Sequence, residues 1–162
     1  MPKLYVLVGV PASGKTTWFR NQEWTDNCYY ISTDRHVEAY ALAHGKTYSE
    51  VFTDYMPTAV ENMVEEVIRA RDAGIDIVWD QTSTTVASRR RKFDMLPGYY
   101  KIAVVFETPP RTELKQRLAS RPGKEIPDVV VEGMLASFEM PTEQEGFDEI
   151  WYTNQKNNLI NM

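Results

Sequence analysis

Hydrophobic and polar positions follow a pattern that is typical of a layered α/β protein. Short apolar runs, each long enough for one buried strand, alternate with longer stretches in which apolar residues recur at helical spacing. The strand candidates are residues 4–8, Tyr29–Ser32, Ile75–Trp79, Lys101–Phe106 and Glu149–Tyr152. This alternation predicts a mostly parallel sheet with helices on both faces, which is a three-layer α/β fold.

Helices are predicted from apolar spacing, caps and prolines. The longest covers residues 49–73, and Gly74 is expected to end it. Another helix should begin within a glycine-rich segment near residue 14, and a further one should cover residues 128–139. Prolines tolerated in a first turn predict one more helix up to about residue 120, with Thr108 as its N-cap.

Composition and charge limit the classes of protein that this chain can represent. A length of 162 residues with 43% hydrophobic content supports one core, predicted here as a single domain over residues 1–152 with a polar, frayed tail over residues 153–162. No signal peptide or membrane-spanning segment is recognisable, so we expect a soluble protein of the cytoplasm. The net charge of −5 argues against binding nucleic acid over the whole surface, so such a contact requires a local basic patch.

A complete phosphate-binding loop follows the first predicted strand. The segment from Gly9 to Thr16 reads G-x-x-x-x-G-K-T, in which glycines turn backbone N–H groups toward phosphates, lysine adds a charge and threonine contacts Mg²⁺. The motif predicts ATP as the bound nucleotide and Mg²⁺ as its metal. The expected nucleotide-binding residues are Gly9, Pro11, Ala12, Ser13, Gly14, Lys15, Thr16 and Thr17.

The remaining motifs favour a small kinase over other phosphate-loop proteins. The Asn-Lys-x-Asp motif of GTPases is absent, and Asp80-Gln81-Thr82 stands where a GTPase has Asp-x-x-Gly. Asp34 follows the second predicted strand and is the candidate base, although this segment can also simply cap a helix. Asp80 ends the third predicted strand and is a candidate for holding Mg²⁺ through water or for binding the acceptor, the alternative being a turn residue.

Basic residues supply candidates for both substrates. Arg117 and Arg121 lie four residues apart and are predicted to share one face of the helix after Pro110, and a lid over about residues 109–125 can present both to the phosphates of ATP. Arg35 and the run that begins with Arg89 and Arg90 are candidate acceptor-binding residues. The alternative for the run is a solvated helix face.

Several of these segments together resemble the kinase domain of bacteriophage 5′-polynucleotide kinases and their P-loop relatives. The resemblance rests on the segment from Gly9 to Trp18, on Asp34 and Asp80, and on the segment from Phe106 to Arg121. It extends through Ile126-Pro127-Asp128-Val129-Val130 and covers about residues 3–140. It departs from the family pattern at Ala12, where a glycine is common, and at Arg35, where the phage enzyme has a second aspartate.

The resemblance implies an ATP-dependent kinase that acts on a nucleic acid, with the 5′-hydroxyl as the favoured acceptor. It assigns the base to Asp34, the lid arginines to Arg117 and Arg121, and the phosphate and metal contacts to Lys15 and Thr16. A phage-encoded enzyme acting in the host cytoplasm would fit this picture, and the absence of an Asp-x-Asp-x-Thr motif predicts no phosphatase activity. Two alternatives stay open: a kinase for a hydroxymethylated base, a nucleoside or another small molecule, and a nucleotide-binding switch or toxin-like module. Oligomeric state is left undetermined.

Overall fold

One parallel sheet forms the centre of the protein. The computed structural model describes residues 1–154 and 159–160. Within these residues the strands are β1 (Lys3–Val8), β2 (Tyr29–Ile31), β3 (Ile77–Asp80), β4 (Tyr100–Phe106), β5 (Glu149–Thr153) and β6 (Leu159–Ile160). Their order is β2-β3-β1-β4-β5-β6, and every pairing is parallel except that of β6 with β5. The predicted α/β class with a mostly parallel sheet is confirmed.

Helices cover both faces of this sheet. In the described residues they are α1 (Lys15–Arg20), α2 (Thr33–Ala43), α3 (Tyr48–Ala73), α4 (Val86–Met95), α5 (Arg111–Ala119) and α6 (Asp128–Ser137), with short 3-10 turns at Glu23–Asn27 and Glu143–Glu145. Successive side chains of β1 point to opposite faces. Leu4 and Val6 join a core that includes Val67 of α3, whereas Tyr5 packs in a second core with Trp18 of α1. None of the described helices is long and apolar enough to cross a membrane.

Three boundaries differ from the predicted ones for local reasons. Ile75 closes the last turn of α3 and is not part of a strand, because its N–H donates to the Ala70 carbonyl after Gly74 turns the chain with a φ of 66°, and β3 begins only at Ile77. Helix α5 begins at Arg111, directly after Pro110, so Thr108 is not its N-cap. Leu159–Ile160 pair with β5 where a frayed tail was expected, and residues 155–158 and 161–162 of that tail lie outside the described residues.

Arg89 is part of the protein interior, which corrects its predicted role in acceptor binding. Its side chain is fully buried. Its Nε and Nη2 donate to Oε1 and Oε2 of Glu145 at 2.5 and 3.1 Å, and Nη1 donates to the Ser83 carbonyl at 2.9 Å. A guanidinium whose fork is bound in this way fixes the turn before β5 against α4 and is closed to a substrate.

Removing the charge of Glu145 should therefore destabilise the fold strongly. We expect Glu145→Gln to lower the free energy of unfolding by about 3–5 kcal/mol, because Arg89 then keeps a buried charge without a counter-ion. Denaturant unfolding measures the change. Glu143→Gln, at an exposed position of the same 3-10 turn, is the control and should change stability by no more than about 0.5 kcal/mol. Equal stabilities of the two variants would contradict the structural role of the pair.

Candidate active site

The phosphate-binding loop links β1 to α1 and places two residues in the left-handed region of backbone angles, which glycine adopts freely and alanine only at a steric cost. Gly14 has a φ of 100° and Ala12 a φ of 64°, both in the left-handed region. Gly9 is required for space, since a Cβ atom there would lie 2.5 Å from Ser13 Oγ and 3.0 Å from Phe106 Cβ. The loop thus brings its backbone against the neighbouring strand at one point and turns sharply at two others.

Lys15 is buried at the centre of this loop. Its Nζ donates to the carbonyl oxygens of Gly9 and Val10, both at 2.9 Å. Burial lowers the pKa of Lys15 to about 8, although the carboxylates of Asp80 and Asp34 oppose the shift. A phosphate entering the loop would add negative charge beside this ammonium group and so favour its charged form.

Asp80 lies beside the start of α1 because β3 and β1 run in parallel. The Thr16 hydroxyl donates to Asp80 Oδ2 at 3.0 Å, and the Tyr30 hydroxyl donates to the same oxygen. Burial, together with the adjacent negative charge of Asp80, raises the pKa of Tyr30 well above its usual value. Tyr30 thus keeps its proton and holds the carboxylate in place, a role that no sequence motif indicated.

The oxygen atoms of Thr16 and Asp80 fit a Mg²⁺ site. Mg²⁺ takes oxygen ligands and usually keeps several waters beside one or two protein groups and substrate phosphates. Groups of three or more His, Cys, Asp or Glu that could hold a metal do not occur in the described part of the chain. Phosphate oxygens and water would therefore have to supply the other ligands.

Asp34 occupies the first turn of α2 and faces the same cleft. The cap of this helix is Ser32, whose Oγ accepts from the Arg35 backbone at 3.3 Å, so the carboxylate of Asp34 is not used for capping. The Tyr48 hydroxyl donates to Asp34 Oδ1 at 2.6 Å and Lys124 Nζ donates to Oδ2 at 3.0 Å. Burial by itself would raise the pKa of Asp34, but Lys124 and Tyr48 outweigh it and lower the pKa below its ordinary value.

The lid segment brings its arginines to the cleft in a way that differs from the prediction. Arg117 is on α5, where it donates to the carbonyl of Ala12 at 3.0 Å and to Glu113 at 2.8 Å. The helix ends at Ala119, so Arg121 lies in the following turn and does not share a helix face with Arg117. Arg121 still lines the cleft, and its charge acts on both Lys15 and Asp34.

One open cleft of about 1450 Å³ brings most of the predicted site residues together. Its walls include, from the predicted set, Pro11, Ala12, Gly14, Lys15, Thr16, Thr17, Asp34, Arg35, Asp80, Arg117 and Arg121. Arg35 donates to Glu66 at 2.7 Å and lies over the Tyr30 ring, 5.5 Å from its centroid. Arg89 and Arg90 are not among the lining residues, and Arg90 is exposed on α4.

The family of the chain follows from a match over most of its length. A family model described as an AAA domain matches residues 4–141, the segment that holds the loop, Asp34, Asp80 and the lid. The chain belongs to this AAA domain family. Its fold is that of a P-loop kinase-like protein, which agrees with the order of elements described above.

Solved structures with the same fold come from proteins of different functions. One, with a TM-score of 0.69 and 19% identity over 99% of this chain and 72% of the other, is the PezAT toxin-antitoxin system of Streptococcus pneumoniae. A sugar kinase from a Janibacter species gives 0.60 and 18%, over 96% and 87% of the two chains. The Pnkp1/Rnl/Hen1 RNA repair complex gives 0.63 and 24%, over 84% and 43%. At these identities the likeness concerns the fold alone.

Lys124 of this AAA domain is a site residue that sequence reasoning missed, and its removal should change the pH dependence of activity. Because Lys124 lowers the pKa of Asp34, Lys124→Met should raise that pKa and move the acidic limb of kcat/KM upward by about 1–3 pH units. Activity would then be lost at a pH where the natural protein still works. Lys115→Met, at an exposed position on α5, should leave the profile unchanged. Superimposable acidic limbs for the natural protein and Lys124→Met would contradict the coupling.

Proposed function

We propose that the protein is an ATP-dependent kinase that transfers the γ-phosphate to a hydroxyl of a nucleic acid, with the 5′-hydroxyl of a polynucleotide as the favoured acceptor. The observation that carries the proposal is the shared cleft. Lys15 and Thr16 form its nucleotide side, Asp34 lies on its other side, and the charge of Arg121 reaches both Lys15 and Asp34. Phosphoryl transfer needs this combination of a phosphate cradle, cations and an acceptor-side carboxylate.

The roles of the side chains follow from their contacts. Asp34 takes the proton of the acceptor hydroxyl once Lys124 has left Oδ2, and the acceptor oxygen then forms a bond to the γ-phosphorus as the bond to the bridging oxygen breaks and ADP departs. Lys15 and Arg121 offset the charge on the transferring group, and Arg117 holds the lid on the loop. Thr16 and Asp80 would hold Mg²⁺, which when bound neutralises charge on the β- and γ-phosphates.

A nucleic-acid acceptor is supported by the resemblance to polynucleotide kinases and by Arg35, which lines the same cleft as Asp34. A structurally similar chain belongs to an RNA repair complex. Arg35, on the acceptor side of the cleft, and Arg90, on exposed α4, are the proposed contacts to the acceptor backbone, which is either DNA or RNA. We also propose that residues 1–152 form the kinase domain, that residues 109–125 act as its lid and that the enzyme works in the cytoplasm.

A panel of acceptors tests this function. Purified protein is incubated with γ-labelled ATP, Mg²⁺ and, in separate reactions, a DNA oligonucleotide and an RNA oligonucleotide with free 5′-hydroxyls, a nucleoside, an oligonucleotide with a hydroxymethylated internal base, and gluconate. We expect label at the 5′ end of an oligonucleotide and none when that end already carries phosphate. Transfer to the nucleoside, the modified base or gluconate in preference to 5′ ends would overturn the proposed acceptor. ATP binding without any transfer would favour a switch or toxin-like module.

A further inference from the structure

Three large side chains form a stripe on α3 that faces the cleft beside the proposed base. Tyr48, Phe52 and Met56 follow one another at intervals of four residues, which places them on one face of the helix. All three line the cleft that contains Asp34. Other residues of α3, including Val51 and Ala59, pack with α2 in a separate core. Tyr48 and Met56 also pack against this core, so the stripe lines the cleft while two of its members join the packing between the helices.

Phe52 is the exposed member of this stripe. The residue is 41% exposed, whereas Tyr48 and Met56 are partly buried against the α2–α3 core. A large apolar ring on the wall of a polar cleft is a feature of ligand-binding surfaces. Tyr48 is already engaged on both its hydroxyl and its ring, since it donates to Asp34 and carries Lys124 Nζ 4.5 Å from its centroid. Of these two aromatic rings, Phe52 is therefore the one whose face is accessible to a ligand.

The arrangement of the Phe52 ring and the Asp34 carboxylate around Tyr48 suits a nucleoside. The centroids of Tyr48 and Phe52 lie 5.5 Å apart, and the Tyr48 hydroxyl is 2.6 Å from the Asp34 carboxylate. One tyrosine side chain therefore separates the group that would take the proton from the exposed ring. In a terminal nucleoside the 5′-hydroxyl and the flat base are likewise separated by one sugar. A hydroxyl placed at Asp34 can thus direct its base toward Phe52.

The surroundings of the Phe52 ring favour a nucleobase over a sugar as the group that binds there. Phenyl and thioether groups provide faces for stacking but few hydrogen-bonding atoms, whereas a sugar site needs many polar partners. The hydroxyls of Ser49 and Thr53 line the same wall, and Asp34 and Lys124 contact Tyr48 at the other end of the stripe. Arg20 and Arg35 also line the cleft and supply positive charge for a phosphate backbone.

We propose that Phe52, supported by Tyr48 and Met56, is a stacking platform for the base of the 5′-terminal nucleotide of the acceptor. This inference rests on the proposed function and adds the part of the acceptor that is recognised. Stacking on one aromatic ring contributes about tenfold to affinity without reading a particular base. The enzyme should therefore accept any of the common bases at the 5′ end and discriminate against a terminal residue without one.

Two oligonucleotides that differ only in the terminal base test the platform. One carries thymine at its 5′-terminal residue, and the other carries an abasic residue with the same free 5′-hydroxyl. For the natural protein we expect the KM of the abasic oligonucleotide to be about tenfold higher at similar kcat. Phe52→Ala should raise the KM of the thymine oligonucleotide by about tenfold and abolish the difference between the two. Phe52→Trp should preserve the difference.

The controls separate the platform from the proposed function. Val60→Ala removes an exposed apolar side chain of α3 that does not line the cleft and should change neither KM. Phe52→Leu keeps an apolar side chain without a ring and should behave like Phe52→Ala, which covers the case in which the alanine variant fails to fold. Equal KM values of the natural protein for both oligonucleotides would overturn the platform while the kinase function stands. If the natural protein transfers phosphate to neither oligonucleotide, both the platform and the proposed kinase function are overturned.

Discussion

Arg121→Ala is expected to lower kcat by about 10³–10⁵, which is the range seen when an arginine that stabilises a transferring phosphate is removed. The reason is its place in the cleft. The charge of Arg121 lowers the pKa values of both Lys15 and Asp34, so its guanidinium lies within electrostatic reach of the donor side and the acceptor side. A positive charge on the wall of the shared cleft can stabilise the phosphoryl group during its transfer. Steady-state kinetics with labelled ATP measure the loss.

Variants at neighbouring arginines make this prediction specific. Arg111→Ala removes an exposed arginine of α5 that pairs with Glu132 on the surface, and kcat should stay near that of the natural protein. Arg117→Ala should lower kcat by a comparable or smaller factor than Arg121→Ala. The reason is that Arg117 already donates to the Ala12 carbonyl and to the Glu113 carboxylate. Arg121→Lys should be intermediate, since it keeps the charge and loses the planar fork. A folded Arg121→Ala variant with kcat within tenfold of the natural protein would exclude this role.

The parts of the site that the sequence predicted are those set by local pattern. The loop from Gly9 to Thr16 fixes its own conformation, and alternating apolar runs fix a parallel sheet whose strand ends meet at one edge. Asp80 thus reaches Thr16 although 64 residues separate them. Thr16 was predicted from the phosphate-loop motif, and Asp80 was predicted because it ends a strand that the pattern identifies.

The residues that sequence reasoning missed depend on contacts between distant segments. Lys124 bonds to Asp34 across 90 positions and Tyr30 to Asp80 across 50, and an isolated lysine or tyrosine carries no motif. The prediction that Arg89 binds the acceptor was wrong for a related reason. Successive residues of a helix point about 100° apart, so Arg89 turns inward to Glu145 while Arg90 stays exposed. The amino-acid sequence alone does not show which member of such a run is buried.

Substitution of Asp34, the candidate base, is expected to have the second large effect on kcat. Asp34→Asn should lower kcat by about 10²–10⁴, because an amide keeps the shape of the side chain but cannot take the proton of the acceptor hydroxyl. Its carbonyl can still accept from the Tyr48 hydroxyl, which now bonds to Asp34 Oδ1 at 2.6 Å. The first turn of α2 should also persist, since Ser32 caps it. The KM for ATP should therefore change little.

The pH dependence of the variant tests the assignment independently of the rate. A base has to be ionised to accept a proton, so with Asp34 as the proposed base activity should fall as the pH drops through its lowered pKa, and this acidic limb should be absent from Asp34→Asn. Glu38→Gln is the matched control. Glu38 also accepts from Lys124, at 3.0 Å, one turn further along α2, and its loss should leave most of kcat and the acidic limb in place. A normal kcat for Asp34→Asn, with only the affinity for ATP reduced, would assign Asp34 to nucleotide binding and leave the base to another residue.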